Sequence, residues 1–261
     1  MAAISTFEPG PSWLERARYL VGIDDTDDAE SRGTGHFVRE IGARLAAAGV
    51  AEVRGISRHQ LFFDPRIPYT SHNSSLCLDA DIAPHRVSEL AEYCRRYLRA
   101  ESARDADVGL CVIAWSDVSA AVIAFGRRAK SEIVTQQAAR ALAARESILL
   151  EGLTGDEGGI IGALAAVGLR KSDNDGRFNW RPGMREAGPL VSVETLLRTT
   201  GIDAVRSVSG RAVNADDVID VRPWPRAILA EGRAVLLVEE AGEEDGNCNW
   251  RLARKDIIKR Y

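Results

Sequence analysis

Short apolar runs and amphipathic stretches alternate through the first half of the chain, and their order constrains the fold more than any other feature. The apolar run at residues 19–23 predicts a buried strand. Phe37, Ile41 and Leu45 recur at a spacing of four, which predicts a helix that ends at Gly49. Further predicted elements are strands at residues 53–63, 75–78 and 108–115 and a helix at residues 84–100.

The predicted order over residues 18–116 is strand, helix, strand, strand, helix, strand, which is the order of the ferredoxin-like split βαβ unit. Beyond it we predict a long helix at 118–145, a short strand at 148–150, a helix of small residues at 159–167 and a hairpin at 234–239 and 249–253. The sequence therefore predicts an α/β protein of the α+β type with three parts: a ferredoxin-like region (18–116), a helical region (117–200) and a small β-rich segment (201–261).

Charge and cysteine content limit the classes of function. The formal net charge of -4 over 261 residues argues against a protein whose whole surface binds nucleic acid, although a local basic stripe remains compatible with it. The four cysteines form no C-x-x-C pair and lie in apolar stretches, which indicates reduced thiols rather than disulfides or a zinc site. No window approaches the ~18 apolar residues of a membrane span. We expect a cytoplasmic protein with no membrane partner.

An acidic turn follows the first predicted strand, in the stretch VGIDDTDDAESRGTG at residues 21–35. Asp24, Asp25 and Asp27 repel one another unless they are solvated, cap a helix or bind a cation. Magnesium suits them, because it prefers oxygen ligands and is usually held by one or two carboxylates together with substrate phosphates. The alternative is an acidic surface turn whose aspartates cap the following helix.

Two glycine-rich segments are candidates for phosphate binding. Gly33, Thr34 and Gly35 open the first helix, where free backbone N–H groups attract phosphate oxygens and Thr34 is the predicted N-cap. Gly158, Gly159 and Gly162 open the helix of small residues and form a second candidate, with close helix packing as the alternative. His36 and His72 are candidates for contact with phosphate or a base if their loops meet; a surface position is the alternative for each.

The motifs GIDDTD (22–27), IPYTSHN (67–73) and GGIIGALAAVG (158–168) together resemble those of the archaeal agmatinylcytidine synthetase family of isoleucine tRNA, the TiaS-like family, in the same order. The resemblance implies an enzyme dependent on ATP and magnesium, which activates a cytidine carbonyl by phosphorylation before agmatine displaces the phosphate. It carries a metal and nucleotide role to Asp24, Asp25 and Asp27. The matching positions with a binding role are Asn73, Gly159 and Gly162.

The chain also departs from the family pattern. Where the family has a phosphorylated threonine in a Cys-Thr-Thr-Tyr stretch, this chain has Thr34-Gly35-His36-Phe37, so that Thr34 is offset by one residue. Two cations after "IPY" are replaced by Thr70-Ser71-His72, and Cys248 stands alone where the family has a zinc ribbon. We therefore expect a phosphoryl or nucleotidyl transferase whose acceptor is a small molecule or an RNA. The alternatives are a non-catalytic nucleotide- or small-molecule-binding protein and a tRNA cytidine-modifying enzyme.

Overall fold

The first half of the chain forms a four-stranded antiparallel unit with two helices. A computed structural model describes residues 16–28, 33–67, 73–242 and 246–261. The neighbouring strands run in the order β4-β1-β3-β2, so that β1 lies between β3 and β4. The elements of this unit are β1 (Ala17–Asp24), α1 (Thr34–Ala47), β2 (Ala51–Gln60), β3 (Ser74–Ile82), α2 (Val87–Glu101) and β4 (Gly109–Ala114).

Helices cover both faces of this sheet. On one face α1 and α2 bury the side chains that the spacing predicted, and Ile41, Leu45 and Leu90 are fully buried there. The opposite face packs against helices from the next part of the chain and contains Leu20 and Cys111. Since both faces are covered, the central part of β1 and all of β4 read as continuous apolar runs rather than as alternating ones.

The long helix predicted at 118–145 is wrong, because the segment folds as two helices. Ala129 caps the end of the first helix, and the hydroxyl of Thr135 accepts a hydrogen bond from the N–H of Ala138 and begins the second. Val122, Phe125 and Ala129 are buried on the inner side of the first helix and its end. Ile133, in the connection, is 39% exposed. The elements here are α3 (Ala120–Arg128), α4 (Gln136–Arg145), β5 (Leu149–Gly152) and α5 (Ile160–Lys171).

The last part of the chain extends the same sheet. Beyond β2 the strand order continues β6-β10-β11-β12-β9-β7, and β8 pairs with β11. The predicted hairpin corresponds to β11 and β12, which are antiparallel, while residues 243–245 of its turn lie outside the described part. The elements are β6 (Arg177–Trp180), β7 (Leu190–Ser192), α6 (Val193–Thr199), β8 (Ala204–Ser207), β9 (Val218–Asp220), β10 (Ile228–Ala230), β11 (Arg233–Glu240), β12 (Trp250–Leu252) and α7 (Lys255–Ile258).

The structure is thus an α+β protein, as the sequence predicts. No helix among the described residues is long and apolar enough to cross a membrane. Cys77, Cys94 and Cys111 are free thiols and are buried.

Helix α5 lies against the sheet at backbone contact distance. A Cβ placed on Gly22, in β1, would lie 1.9 Å from the carbonyl oxygen of Ala163, and one on Gly109, in β4, would lie 2.1 Å from the carbonyl carbon of Gly159. Glycine is therefore required at both positions, because any side chain would push the helix off the strands. Close helix packing, the alternative considered for the glycines that open this helix, therefore describes Gly159 at the start of the helix as well as the turn around Ala163.

Gly22→Ala is expected to destabilise the protein by about 3 kcal/mol, since the atom that the new methyl group meets is backbone and cannot rotate away. For a chain of this size the melting temperature should fall by about 6–12 °C. Thermal unfolding followed by circular dichroism measures the change. Gly188→Ala is the matched control, because its Cβ would meet nothing nearer than the carbonyl oxygen of Leu190 at 3.9 Å. Equal melting temperatures for Gly22→Ala and Gly188→Ala would contradict the packing argument.

Candidate functional site

One cavity of about 470 Å³ lies where β1 ends and where α1 and α5 begin. We call it the acidic cavity. All ten residues that the sequence analysis assigned to metal or phosphate binding line it: Asp24, Asp25, Asp27, Gly33, Thr34, Gly35, Asn73, Gly158, Gly159 and Gly162. Three motifs that are far apart in the sequence therefore meet at one place in the fold. Its size is within the range of small-molecule and cofactor sites.

Asp24 ends β1 and points at helix α5. A Cβ on Gly162 would lie 1.8 Å from Oδ2 of Asp24, so the absence of a side chain at position 162 makes room for this carboxylate. Burial, followed by the charge of Asp25, raises the pKa of Asp24 from 3.8 to about 8. A carboxylate in such a position is stabilised when a cation binds beside it.

Asp25 follows in the left-handed region of backbone conformation, with φ at 55°. This conformation is uncommon for residues other than glycine and turns the chain sharply at the end of the strand. Burial, followed by the charge of Asp107, raises the pKa of Asp25 from 3.8 to about 6, and Asp27 and Asp156 act in the same direction. The cavity therefore contains more negative charge than the GIDDTD motif alone supplies.

Asp107 and Asp156 are cavity residues that the sequence analysis missed. Asp107 lies just before β4, the strand beside β1, and Asp156 lies in the glycine-rich turn before α5. The N–H of Asp156 donates to Oδ1 of Asp107 at 2.7 Å, and the N–H of Gly158 donates to Oδ1 of Asp156 at 2.8 Å. Their signal in the sequence was weak, since each is a single aspartate in a turn.

The start of α1 differs from the prediction. Thr34 is the first helical residue and not the N-cap; the N-cap is Gly33, with φ at 81°. The hydroxyl of Thr34 instead donates to Oδ1 of Asp27 at 2.7 Å, which ties the acidic turn to the helix. No side chain caps α1 and no acidic residue lies in its first turn. Gly33, Thr34 and Gly35 at its N-terminus line the cavity, and the N-terminus of a helix is suited to an anion.

Three further polar residues and a histidine line the acidic cavity. Asn73 donates from its side-chain amide to the carbonyl oxygen of Phe62 at 2.7 Å, which fixes it against the end of β2. Arg58 donates to the hydroxyl of Ser74 at 2.8 Å, and Arg39 donates to the side-chain oxygen of Asn179 at 2.6 Å. The prediction missed both arginines. His36 lines the cavity, whereas His72 lies outside the described residues.

The donor set of the acidic cavity suits a hard cation. Among the described residues, no group of three or more His, Cys, Asp or Glu side chains is arranged to hold a metal ion by itself. Magnesium does not require such a group, because one or two carboxylates, phosphate oxygens and waters complete its octahedron. The raised pKa values of Asp24 and Asp25 show two carboxyl groups whose charge is unfavourable without a counter-ion. The residues present therefore fit magnesium bound together with a phosphate ligand.

Gly162→Ala is expected to weaken binding of a magnesium ion in the acidic cavity about 10-fold, because the new methyl group would displace the carboxylate of Asp24. Helix propensity favours alanine over glycine by about 1 kcal/mol, so the variant should still fold. Isothermal titration calorimetry measures the affinity. If the effect acts through Asp24, Gly162→Ala combined with Asp24→Asn should bind no more weakly than Asp24→Asn alone. Additive losses would contradict this coupling.

Comparison with known proteins agrees with the geometry at the level of fold. No family model matches the chain. An uncharacterized protein of Methanocaldococcus jannaschii is 31% identical over 153 residues, which is 58% of this chain and 50% of that protein. The chain therefore spans half the length of the curated relative it matches.

Three solved structures resemble the chain over 58% of its length. They are a complex of TiaS with an isoleucine tRNA and ATP (24% identity, TM-score 0.52, 36% of that chain), a tRNA fluorescent labeling enzyme (24%, 0.51, 36%) and apo TiaS, a tRNA agmatidine synthetase (22%, 0.50, 35%). The resemblance to the TiaS-like family that the three motifs predict is thus confirmed as a likeness of fold. It covers about a third of each of those larger proteins.

Proposed function

We propose that the acidic cavity binds ATP with magnesium and catalyses transfer of a phosphoryl or nucleotidyl group to an acceptor. The observation that carries this proposal is the meeting of three distant motifs at one cavity, where several carboxylates lie beside the start of α1, a helix without a side-chain cap. Such an arrangement matches the needs of phosphoryl transfer, in which the protein mainly positions phosphates and stabilises their charge.

The residues have separable roles in this proposal. The backbone N–H groups of Gly33 and Gly35 at the start of α1 bind phosphate oxygens. The glycines at the start of α5 instead allow phosphate to approach closely, since the N–H of Gly159 already donates to the carbonyl oxygen of Asp107. Asp24 and Asp25, with Asp27, hold magnesium, which supplies charge neutralisation on the phosphate oxygens when it is bound. The hydrogen bond from Thr34 keeps Asp27 beside the helix that binds the phosphate.

Arg58 and Arg39 border the same cavity and supply positive charge. Arg58 is the nearer to the acidic turn, since the charges of Asp27 and Asp24 act on its pKa, which burial lowers. Arginine forms bidentate hydrogen bonds with phosphate, so Arg58 suits a transferring group or its leaving group.

The fold supports this proposal in a second way. The strand order β4-β1-β3-β2 with α1 and α2 on one face supports a ferredoxin-like interpretation of residues 18–116. In this arrangement the acidic turn leaves a central strand, β1, and is therefore held between neighbours on both sides.

The three buried free cysteines support a cytoplasmic location.

Two alternatives differ in class. The fold likeness to TiaS structures, one of them a complex with an isoleucine tRNA and ATP, favours a tRNA cytidine-modifying enzyme. The offset of Thr34 from the family's phosphorylated position favours a nucleotide- or small-molecule-binding protein without catalysis. The acidic cavity serves all three functions, so product analysis rather than binding separates them.

The test is incubation of the purified protein with ATP and magnesium, with and without a cytidine-containing RNA, followed by identification of the nucleotide products. Formation of ADP or AMP that is absent with Asp25→Asn would support the transferase. A product that appears only with the RNA would favour the tRNA-modifying alternative. ATP binding without turnover under either condition would favour the non-catalytic protein, and absence of ATP binding would contradict the proposed site.

A further inference from the structure

A second cavity, of about 410 Å³, lies beside the acidic one and has the opposite charge. We call it the basic cavity. Its charged residues come from β2, β6, the loop before β10, and α7 with the residue after it. Five cations and a tryptophan line it: Arg58, Arg177, Arg226, Lys255, Lys259 and Trp224. Four of the five cations come from residues 177–259, beyond the segment that contains the three motifs, and the chain as a whole has a net charge of -4.

Two of these arginines lie opposite each other on neighbouring strands. Arg58 of β2 is paired with Arg177 of β6 in the strand register. Like charges directly opposite each other on neighbouring strands destabilise a sheet. Burial, followed by the charges of Arg58 and Arg226, lowers the pKa of Arg177. The fold therefore keeps a pair of repelling cations at a half-buried position.

Apart from Arg58, on which the charges of Asp27 and Asp24 act, the cations of this cavity have no carboxylate of the described residues within ion-pair distance. Among the described residues, neither Arg177 nor Arg226 forms an ion pair within 4.0 Å, and the same holds for Lys255 and Lys259. Elsewhere on this protein most buried or half-buried arginines do have such a partner; Arg18 and Arg170, for example, both contact Asp79 at 2.7 Å. A cluster of cations without acidic partners is suited to an anion from outside the chain.

The aromatic residue of the basic cavity indicates the kind of anion. Arg185 lies over the ring of Trp224 with its guanidinium carbon 4.1 Å from the ring centre, and Arg226 lies 5.0 Å from it. Arginine planes and tryptophan rings are the surfaces on which nucleic-acid bases stack, and the same arginines bind phosphate. The combination is typical of a nucleotide site more than of a site for inorganic phosphate alone.

The two cavities adjoin each other at two shared lining residues. Arg58 and Asn179 line both of them, and Asn179 lies two residues after Arg177 on the same face of β6. Gly35 permits this closeness, since a Cβ there would lie 2.9 Å from the side-chain nitrogen of Asn179. A molecule held in the basic cavity would thus lie next to the phosphates of a nucleotide in the acidic cavity.

We propose that the basic cavity binds the phosphate and base of a nucleotide. This binding stands on the geometry of the basic cavity and does not depend on the proposed function. The nucleotide is either a free mononucleotide or one residue of a single-stranded RNA, because both present the same phosphate and base.

The test measures binding of cytidine 5′-monophosphate and of a ten-residue oligocytidylate, without ATP or magnesium, by fluorescence anisotropy of labelled probes. Arg226→Gln and Arg177→Gln should each weaken binding about 10-fold and lower the salt dependence for the oligonucleotide by about one unit of slope. Arg260→Gln, an exposed arginine that does not line the cavity, is the matched control and should bind as the wild type does. Circular dichroism verifies folding, and the doubly substituted Arg226→Gln, Lys259→Gln protein carries the test if Arg177→Gln does not fold.

Each outcome decides between sources or overturns the proposal. Binding of both probes, lost in the variants, would identify a mononucleotide site, and binding of the oligonucleotide alone would identify an RNA strand. If neither probe binds, or if Arg226→Gln and Arg177→Gln bind as Arg260→Gln does, the proposal is wrong. Asp25→Asn separates the two proposals, because it should lose ATP binding and keep the affinity for the monophosphate.

Discussion

Asp25→Asn is expected to lower the affinity for magnesium–ATP by about 100-fold, or about 3 kcal/mol, with the fold intact. The carboxylate of Asp25 shares the acidic cavity with Asp107 and Asp156, so its loss removes a charge from the group that would face the cation. Asparagine is the best replacement at this position. It keeps the shape of the side chain, and it is among the few residues that adopt the left-handed conformation found here, with φ at 55°.

Isothermal titration calorimetry with ATP, in the presence and absence of magnesium, measures this effect. Asp105→Asn is the matched control, because Asp105 is exposed, lies outside the acidic cavity and carries the same charge. The loss should appear only in the presence of magnesium if Asp25 acts through the metal. Unchanged magnesium–ATP affinity in Asp25→Asn would refute the assigned site, and an equal loss in Asp105→Asn would show a general effect of charge.

The sequence predicted the outline of the fold and the membership of the acidic cavity because both depend on local patterns. The order of elements through residue 114 follows from apolar periodicity. Sharp local signals come from the turn after a central strand and from the glycines that begin two helices. All ten residues assigned to metal or phosphate binding line one cavity. Their roles in metal and phosphate binding stay predictions.

The missed features depend on contacts between distant parts of the chain. Asp107 enters the acidic cavity because β4 pairs with β1, and Arg177 meets Arg58 because β6 pairs with β2. Neither pairing has a sequence signal of its own. The break between α3 and α4 was missed for another reason. The apolar spacing continues through the break and outweighs the N-cap signal of Thr135.

The turn at residues 173–176 is a further example. Its composition is that of an ordinary turn, yet Asp175 is buried and its Oδ1 forms a hydrogen bond with Nδ1 of His59 at 3.0 Å. Nε2 of His59 lies 2.8 Å from the hydroxyl of Ser57, and Lys130 pairs with Asp175. Burial lowers the pKa of His59, and Ser57 is only 1% exposed, so this network ties β2 to the end of α5 and offers no accessible nucleophile.

Asp24→Asn is expected to have opposite effects on function and stability. It should lose magnesium–ATP binding, because Asp24 is one of the carboxylates that hold the cation in the proposed site. Without ligands, however, it should stabilise the protein by about 2 kcal/mol at pH 8, since it removes a negative charge that lies beside helix α5 and next to Asp25. The full pKa shift of Asp24 would correspond to a larger gain, at ~1.4 kcal/mol per pKa unit. The expected gain is smaller because the amide of asparagine keeps some unpaired polar atoms and because the site retains access to solvent.

The pH dependence of stability tests the cause of this effect. The pKa of Asp24 is about 8 in the folded protein and 3.8 without burial, so the folded state binds the proton more tightly than the unfolded state. Below about pH 4 the carboxyl group of Asp24 is protonated in both states and does not destabilise the protein. As the pH rises toward 8, the wild type loses stability because the folded state resists ionisation of this group. Asparagine does not titrate, so the advantage of Asp24→Asn over the wild type should be larger at pH 8 than at pH 5.

Urea unfolding at pH 5 and pH 8, without nucleotide or metal, measures both values, with Asp105→Asn as the control that should follow the wild type. A variant less stable than the wild type at pH 8 would show that Asp24 has a structural role and no electrostatic cost. A stability gain combined with lost magnesium–ATP binding would instead show that the acidic turn is kept at the expense of stability. Such a cost is expected of a site whose charge is balanced only when its ligand is bound.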